Sequence, residues 1–122
     1  MPTPRTRLGH RGEELARRFL QENGCQILET NYRCPWGEID IVVQDRHELV
    51  FVEVRTRRST DFGTPEESIT ATKVQHLVDA AQDYLERRGK ADADWRIDLI
   101  SIRLGPGYQL QRIDHLPHAV QL

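Results

Sequence analysis

Two stretches of apolar, β-branched residues are each interrupted by ionisable residues near one end. Glu38 and Asp40 stand in the run 38–44, and Glu53 and Arg55 in the run 49–56. The four polar residues between the runs, Asp45-Arg46-His47-Glu48, are short enough to make them an antiparallel hairpin. With the turn centred between Arg46 and His47, Ile41 faces Val52, Val43 faces Val50 and Ile39 faces Val54, so one face is wholly β-branched. The other face pairs Val42 with Phe51, then Asp40 with Glu53, then Glu38 with Arg55. A one-residue slip would set the acids against the apolar set, so the hydrophobic pattern itself drives two carboxyl groups together.

Two carboxylates about 4 Å apart repel by roughly 4 kcal/mol at an effective dielectric near 20. A divalent cation offsets that repulsion directly, because Mg²⁺ is commonly held by one or two carboxylates with waters and phosphate oxygens. Arg55 offers a second solution without metal, a charge network at the edge of a sheet. Two further residues bear on the choice. Glu13 borders the apolar stripe that Ala16 and Leu20 define, where a helix packed on the sheet would aim it at the acid pair; the alternative is an i,i+4 pair with Arg17. Lys73 falls in the first turn of a helix if Thr70 is its cap, where the helix dipole disfavours a cation. It is one of only two lysines among 17 basic residues. It is either a functional amine or a solvated surface charge.

The elements that must position these residues follow from periodicity and punctuation. Residues 9–23 read as an amphipathic helix ended by Asn23-Gly24. A short strand over 26–31 precedes the hairpin. Thr64-Pro65-Glu66-Glu67 has the form of a helix start, with Thr70 as a second possible cap, and Val74, Leu77, Val78, Ala81 and Leu85 carry an apolar stripe to Arg88-Gly89. Strands over 95–104 and 108–114, separated by Gly105-Pro106-Gly107, close the chain. The order αβββαββ predicts an α/β fold, a mixed sheet flanked by helices, in a single domain over 1–122.

Composition limits the function classes. The chain has 122 residues, 38% hydrophobic and 30% charged, with a net charge of −2. It therefore lacks the strong basic excess of many nucleic-acid binders, although Arg5, Arg7, His10 and Arg11, and again Arg55, Arg57 and Arg58, form local basic clusters suited to phosphates. No apolar segment near the start would serve as a signal peptide or membrane span, so a cytoplasmic protein without a membrane partner is expected. Cys25 and Cys34 lack metal or redox spacing and read as small buried hydrophobes. Asp61-Phe62-Gly63 is read as a loop. His115 and His118 are separated by a proline that prevents helical alignment, and Asp98, on a strand face with Ile100 and Ile102, needs a partner such as Arg96. Loop or core packing is expected for Tyr32 and Trp36.

An aspartate on one strand, Glu-x-basic on the next and a flanking helical glutamate resemble the PD-(D/E)XK nuclease superfamily. Gly37-Glu38-Ile39-Asp40 and Phe51-Val52-Glu53-Val54-Arg55 carry that likeness. Nearly the whole chain, from Gly9-His10-Arg11-Gly12-Glu13 to Arg96-Ile97-Asp98, is similar to uncharacterised protein family 0102, itself similar to archaeal Holliday-junction resolvases. The resemblance implies a restriction-endonuclease-like core, Mg²⁺ or Mn²⁺ as cofactor with Asp40 and Glu53 as ligands, and Glu13, Asp40, Glu53, Arg55 and Lys73 as the catalytic set. It implies DNA as partner, branched DNA included, gripped by Arg5, Arg7, Arg11, Arg57 and Arg58, with a homodimer matching a two-fold junction. Arg55 departs from the superfamily's usual lysine: a guanidinium stays protonated and only orients and neutralises. A non-cleaving nucleic-acid-binding module and a protein-interaction domain are the alternatives.

Overall fold

The computed structural model describes residues 4–61, 63–64 and 69–120, with the side chains of Pro4 and Arg5 not included. The elements are α1 (Pro4–Glu22), β1 (Gln26–Cys34), β2 (Gly37–Asp45), β3 (Glu48–Arg58), α2 (Ala71–Arg87), β4 (Asp94–Leu104) and β5 (Leu110–Leu116). They follow the expected αβββαββ order, in an α/β arrangement consistent with a restriction-endonuclease-like core. The strands form one sheet in the order β1-β2-β3-β4-β5. β1, β2 and β3 are antiparallel neighbours, β3 and β4 are parallel, and β5 returns antiparallel along β4. A parallel pair needs a crossover, and α2 supplies it.

Each face of the sheet has its own core. On one side, Ala16 and Leu20 of α1 pack on Ile41, Val43, Val50, Val52, Ile100 and Ile102. On the other, Leu77, Ala80, Ala81, Tyr84 and Leu85 of α2 pack on Val42, Phe51 and Ile97. The expected hairpin register holds for Ile41 with Val52, Val42 with Phe51 and Val43 with Val50. The recorded ladder ends there. Asp40 Oδ2 accepts the Val54 N–H at 2.8 Å, so a side chain stands where a main-chain acceptor would continue the pairing. Ile39 then packs on the α2 side, whereas Ile41 packs on the α1 side. The predicted continuous face through Ile39 is thereby corrected: β2 turns at Asp40, and the alternation restarts.

Several boundaries moved. α1 begins at Pro4 rather than at residue 9. β1 runs on to Cys34 because it pairs with β2 as far as Gly37, which leaves Pro35-Trp36 as a two-residue turn. Thr70 is the cap of α2, its Oγ1 accepting the Lys73 N–H at 3.1 Å; Pro65, Glu66 and Glu67 of the earlier start signature lie outside the described residues. The Gly105-Pro106-Gly107 punctuation opens a 3₁₀ turn over Pro106–Tyr108, which delays β5 to Leu110. Both cysteines are free, half-buried and packed against the cores. Tyr32 is buried among them, edge-on to Tyr84. Trp36 is the exception to the packing expectation, 55% exposed at the hairpin tip.

The approach of α1 to β3 depends on one glycine. A Cβ at Gly12 would lie 1.8 Å from Thr56 Oγ1 and 2.8 Å from its Cβ, closer than any side-chain rotation relieves, whereas one at Gly9 would meet nothing within 4 Å. Gly12→Ala should destabilise the protein by about 1–3 kcal/mol, and Gly9→Ala should be neutral or stabilising by up to about 1 kcal/mol, since alanine is the better helix former. Urea unfolding midpoints of the two variants, measured beside the parent, give the comparison.

Candidate functional site

The turn of β2 at Asp40 and the straight run of β3 place the two acids beside one another. The Asp40 and Glu53 carboxyl groups stand close enough to share a proton. Burial, followed by the charge of Glu53 and that sharing, pushes the Asp40 carboxyl up to about 7; the Val54 N–H and Lys73 pull the other way. Glu53 is only 3% exposed. A buried carboxylate is tolerated only with partners, and two cations provide them: Lys73 Nζ lies 3.4 Å and Arg55 Nε 3.5 Å from Glu53 Oε2. Arg55 Nε is buried and makes no hydrogen bond, so charge rather than a directed bond holds the guanidinium there. The cap that Thr70 forms fixes the helical turn from which Lys73 reaches the acid.

Glu13 approaches from the α1 side. Burial first, then the charges of Asp40 and Glu38, raise its carboxyl above the ordinary range, while His10 and Arg17 oppose the rise. Glu13 thus feels the acid pair, as its place at the edge of the apolar stripe predicted, and it feels Arg17 as well. With Thr6, Gly9, His10, Asn31, Arg33 and Glu38 it lines an open groove of about 400 Å³. Glu38 does not meet Arg55: its nearest cation is Arg33, 3.8 Å away on β1. Asn31 was not singled out in the sequence. Its backbone is left-handed, φ 53°, a conformation asparagine tolerates better than most residues.

The basic residues separate. Arg7 and Arg58 are exposed, and Arg57 is half-buried. Arg11 is tied to Glu14 at 3.1 Å and to the Tyr108 carbonyl at 3.5 Å. The Arg5 side chain lies outside the described residues. On β4, beside Val52 of β3 and on the α1 face of the sheet, Asp98 is fully buried and its partners are more numerous than expected: Arg96 at 3.0 Å, His115 Nε2 at 2.7 Å and the His118 N–H at 3.1 Å. Burial pushes this carboxyl up, yet the bonds from His115, Arg96 and His118 outweigh it and leave it below the usual range. Arg96 also binds Asp45 and Glu48, both at 2.9 Å. That closed set is structural.

Asp40 and Glu53 are hard oxygen donors of the kind that suit Mg²⁺ or Mn²⁺. Among the described residues, no group of three or more His, Cys, Asp or Glu side chains is placed to hold a metal ion.

The model of uncharacterised protein family UPF0102 matches residues 12–102. The chain belongs to this family. The match spans Glu13, Asp40, Glu53, Arg55 and Lys73, every residue of the candidate site, and leaves out β5. The UPF0102 protein of Roseiflexus castenholzii is 45% identical over 118 residues, covering 96% of this chain and 95% of its own. That of Solibacter usitatus is 48% identical over 101 residues, covering 79% and 74%. Among solved structures, SfsA of Pyrococcus furiosus in complex with Ca²⁺ aligns over 88% of this chain and 61% of its own with 14% identity and a TM-score of 0.39, a likeness too slight to bear on function. No helix among the described residues of this UPF0102 chain is long and apolar enough to cross a membrane.

The acid pair has a signature in stability. The folded protein holds a proton on Asp40 up to about pH 7, whereas an unfolded aspartate releases it near 3.9. Folding therefore binds a proton between those values, and stability falls as pH rises from about 4 through about 7. Asparagine at this position keeps an acceptor for Val54 and a donor for Glu53 without the charge. In a chelator, Asp40→Asn should be more stable than the parent by about 4 kcal/mol at pH 8, with the margin gone near pH 4; urea unfolding at both pH values measures it.

Proposed function

We propose that this chain is a metal-dependent, nuclease-like protein that hydrolyses phosphodiester bonds in DNA, branched DNA among its substrates. The reading rests on one observation: the contact between the Asp40 and Glu53 carboxyl groups, with the Lys73 ammonium and the Arg55 guanidinium both within 3.5 Å of Glu53. In the reaction a water oxygen bonds to phosphorus, the bond to the departing sugar oxygen breaks, and the proton lost by the water balances the alkoxide. Asp40 and Glu53 would hold Mg²⁺ or Mn²⁺, which would supply Lewis-acid polarisation of the phosphate and acidify water. Asp40 and Glu53 supply the negative oxygens that retain the cation. Lys73 is the amine nearest the pair and orients the attacking water. Arg55 neutralises charge that develops on the phosphate oxygens. Glu13, from the α1 side, adds acceptor capacity next to Asp40. Exposed Arg7 and Arg58 hold flanking phosphates, contacts that position a duplex without reading its bases. A homodimer matches a junction of two-fold symmetry.

A second reading is a binding module that keeps the nuclease fold without cleaving, and Arg55 in the place of the superfamily's lysine is the observation that favours it. The two separate in a cleavage assay on linear and four-way-branched DNA, with Mn²⁺ and with chelator. The nuclease reading expects metal-dependent cutting that drops roughly 100-fold or more in Asp40→Asn and roughly 10-fold or more in Lys73→Met. Salt-sensitive DNA retention in a gel with no cutting by the parent protein supports the binding module instead. Cutting by Asp40→Asn at the parental rate overturns the assignment of the site.

Mn²⁺ should also raise the Tm of the parent protein at pH 8 and leave that of Asp40→Asn unchanged. This is read by differential scanning fluorimetry without DNA, so it reports on the cation whether or not cleavage occurs.

A further inference from the structure

The hairpin between β1 and β2 has only two residues in its turn, Pro35 and Trp36, because Cys34 already pairs with Gly37. So tight a turn projects its second side chain beyond the sheet, and Trp36 is left 55% exposed, more than any other large apolar side chain among the described residues. Beside it, the outer face of α2 forms a groove of about 270 Å³ lined by Trp36, Asp79, Gln82, Asp83 and Glu86. A second groove of about 300 Å³ continues from Gln82 and Glu86 to Leu85, Ala91 and Trp95. The two make one track along the helix, with an indole near each end and carboxylates between.

The charge of that track is negative. Asp79 is bonded only to the neutral amide of Gln75, at 3.0 Å, and Glu86 has no ion-pair partner among the described residues. Asp83 is satisfied internally, by the Tyr32 hydroxyl and by Arg87 at 3.0 Å. An unpaired base stacked on Trp36 would carry its phosphates towards Asp79 and Glu86, so nucleic acid is repelled from this face. A guanidinium meets no such objection: tryptophan is the best aromatic platform for a cation, and planar arginine stacks on the ring while its outer donors reach carboxylates in bidentate fashion.

We infer that the α2 face between Trp36 and Trp95 is a docking surface for an arginine-rich peptide segment of a partner protein, with one arginine stacked on Trp36 and others paired with Asp79 and Glu86. The surface is built from residues outside the acid pair, and the inference stands whether or not the chain cleaves DNA.

The test is a titration of the full chain with a fluorescein-labelled nona-arginine peptide at low and moderate salt, followed by anisotropy. Saturable binding that weakens as salt rises is expected, with about a tenfold loss of affinity in Trp36→Ala and a comparable loss in the double variant Asp79→Asn, Glu86→Gln. A double variant on α1, Glu14→Gln with Glu22→Gln, removes the same charge elsewhere and should bind as the parent does. Circular dichroism melting of each variant verifies that it is folded. Absence of binding, or equal weakening by the α1 and α2 charge variants, overturns the proposal. So does a single-stranded oligothymidylate that competes with the peptide and quenches Trp36, because it would make the surface a base-stacking platform.

Discussion

Asp40 and Glu53 touch inside a fold that must accommodate their mutual repulsion, and much of the local architecture follows from that contact. The hairpin ladder stops at Ile41 and Val52 because the Asp40 side chain takes the Val54 N–H. β2 then turns, sending Ile39 to one core and Glu38 to the groove beside Glu13. A helix cap fixes Lys73 next to Glu53, and the guanidinium of Arg55 completes the charge balance. Removing charge at any of these points alters the protonation of the rest, because the groups share one poorly solvated space.

The sheet handles its buried acids in opposite ways. On β4, Asp98 is met by Arg96, His115 and a backbone N–H, and it is held ionised. Its acceptors are filled from within the protein. On β2, Asp40 is held towards its protonated form, and Arg55 Nε lacks a hydrogen bond. A network with every partner supplied contributes rigidity and uniqueness; one left electrostatically incomplete has room for something from solution. This contrast separates the structural acid from the candidate functional ones better than burial does, since Asp98 and Glu53 are both buried.

The sequence made the hairpin register legible because only one alignment put Ile41, Val43, Val50 and Val52 on a single face, and the acid contact came with it. Thr70 as a cap, and hence Lys73 in a first turn, was readable from local chemistry. The turn at Asp40 was not, because period-two alternation assumes an unbroken ladder and contains no sign that a side chain will replace a main-chain acceptor. The exposure of Trp36 was also hidden: a large aromatic is expected to pack, and only the two-residue turn, fixed by tertiary pairing, forces it outward. The partners of Glu38 depended on β1 extending three residues further than its apolar pattern indicated.

The crossover that makes β3 and β4 parallel also divides the site between separate parts of the chain. The hairpin bearing both acids is contiguous, whereas the lysine that steadies them sits on a helix that packs on β2 and leads into β4. In water the same two carboxyl groups have ordinary acidity. The unusual electrostatics belong to the finished molecule alone, a property of closure rather than of any single segment.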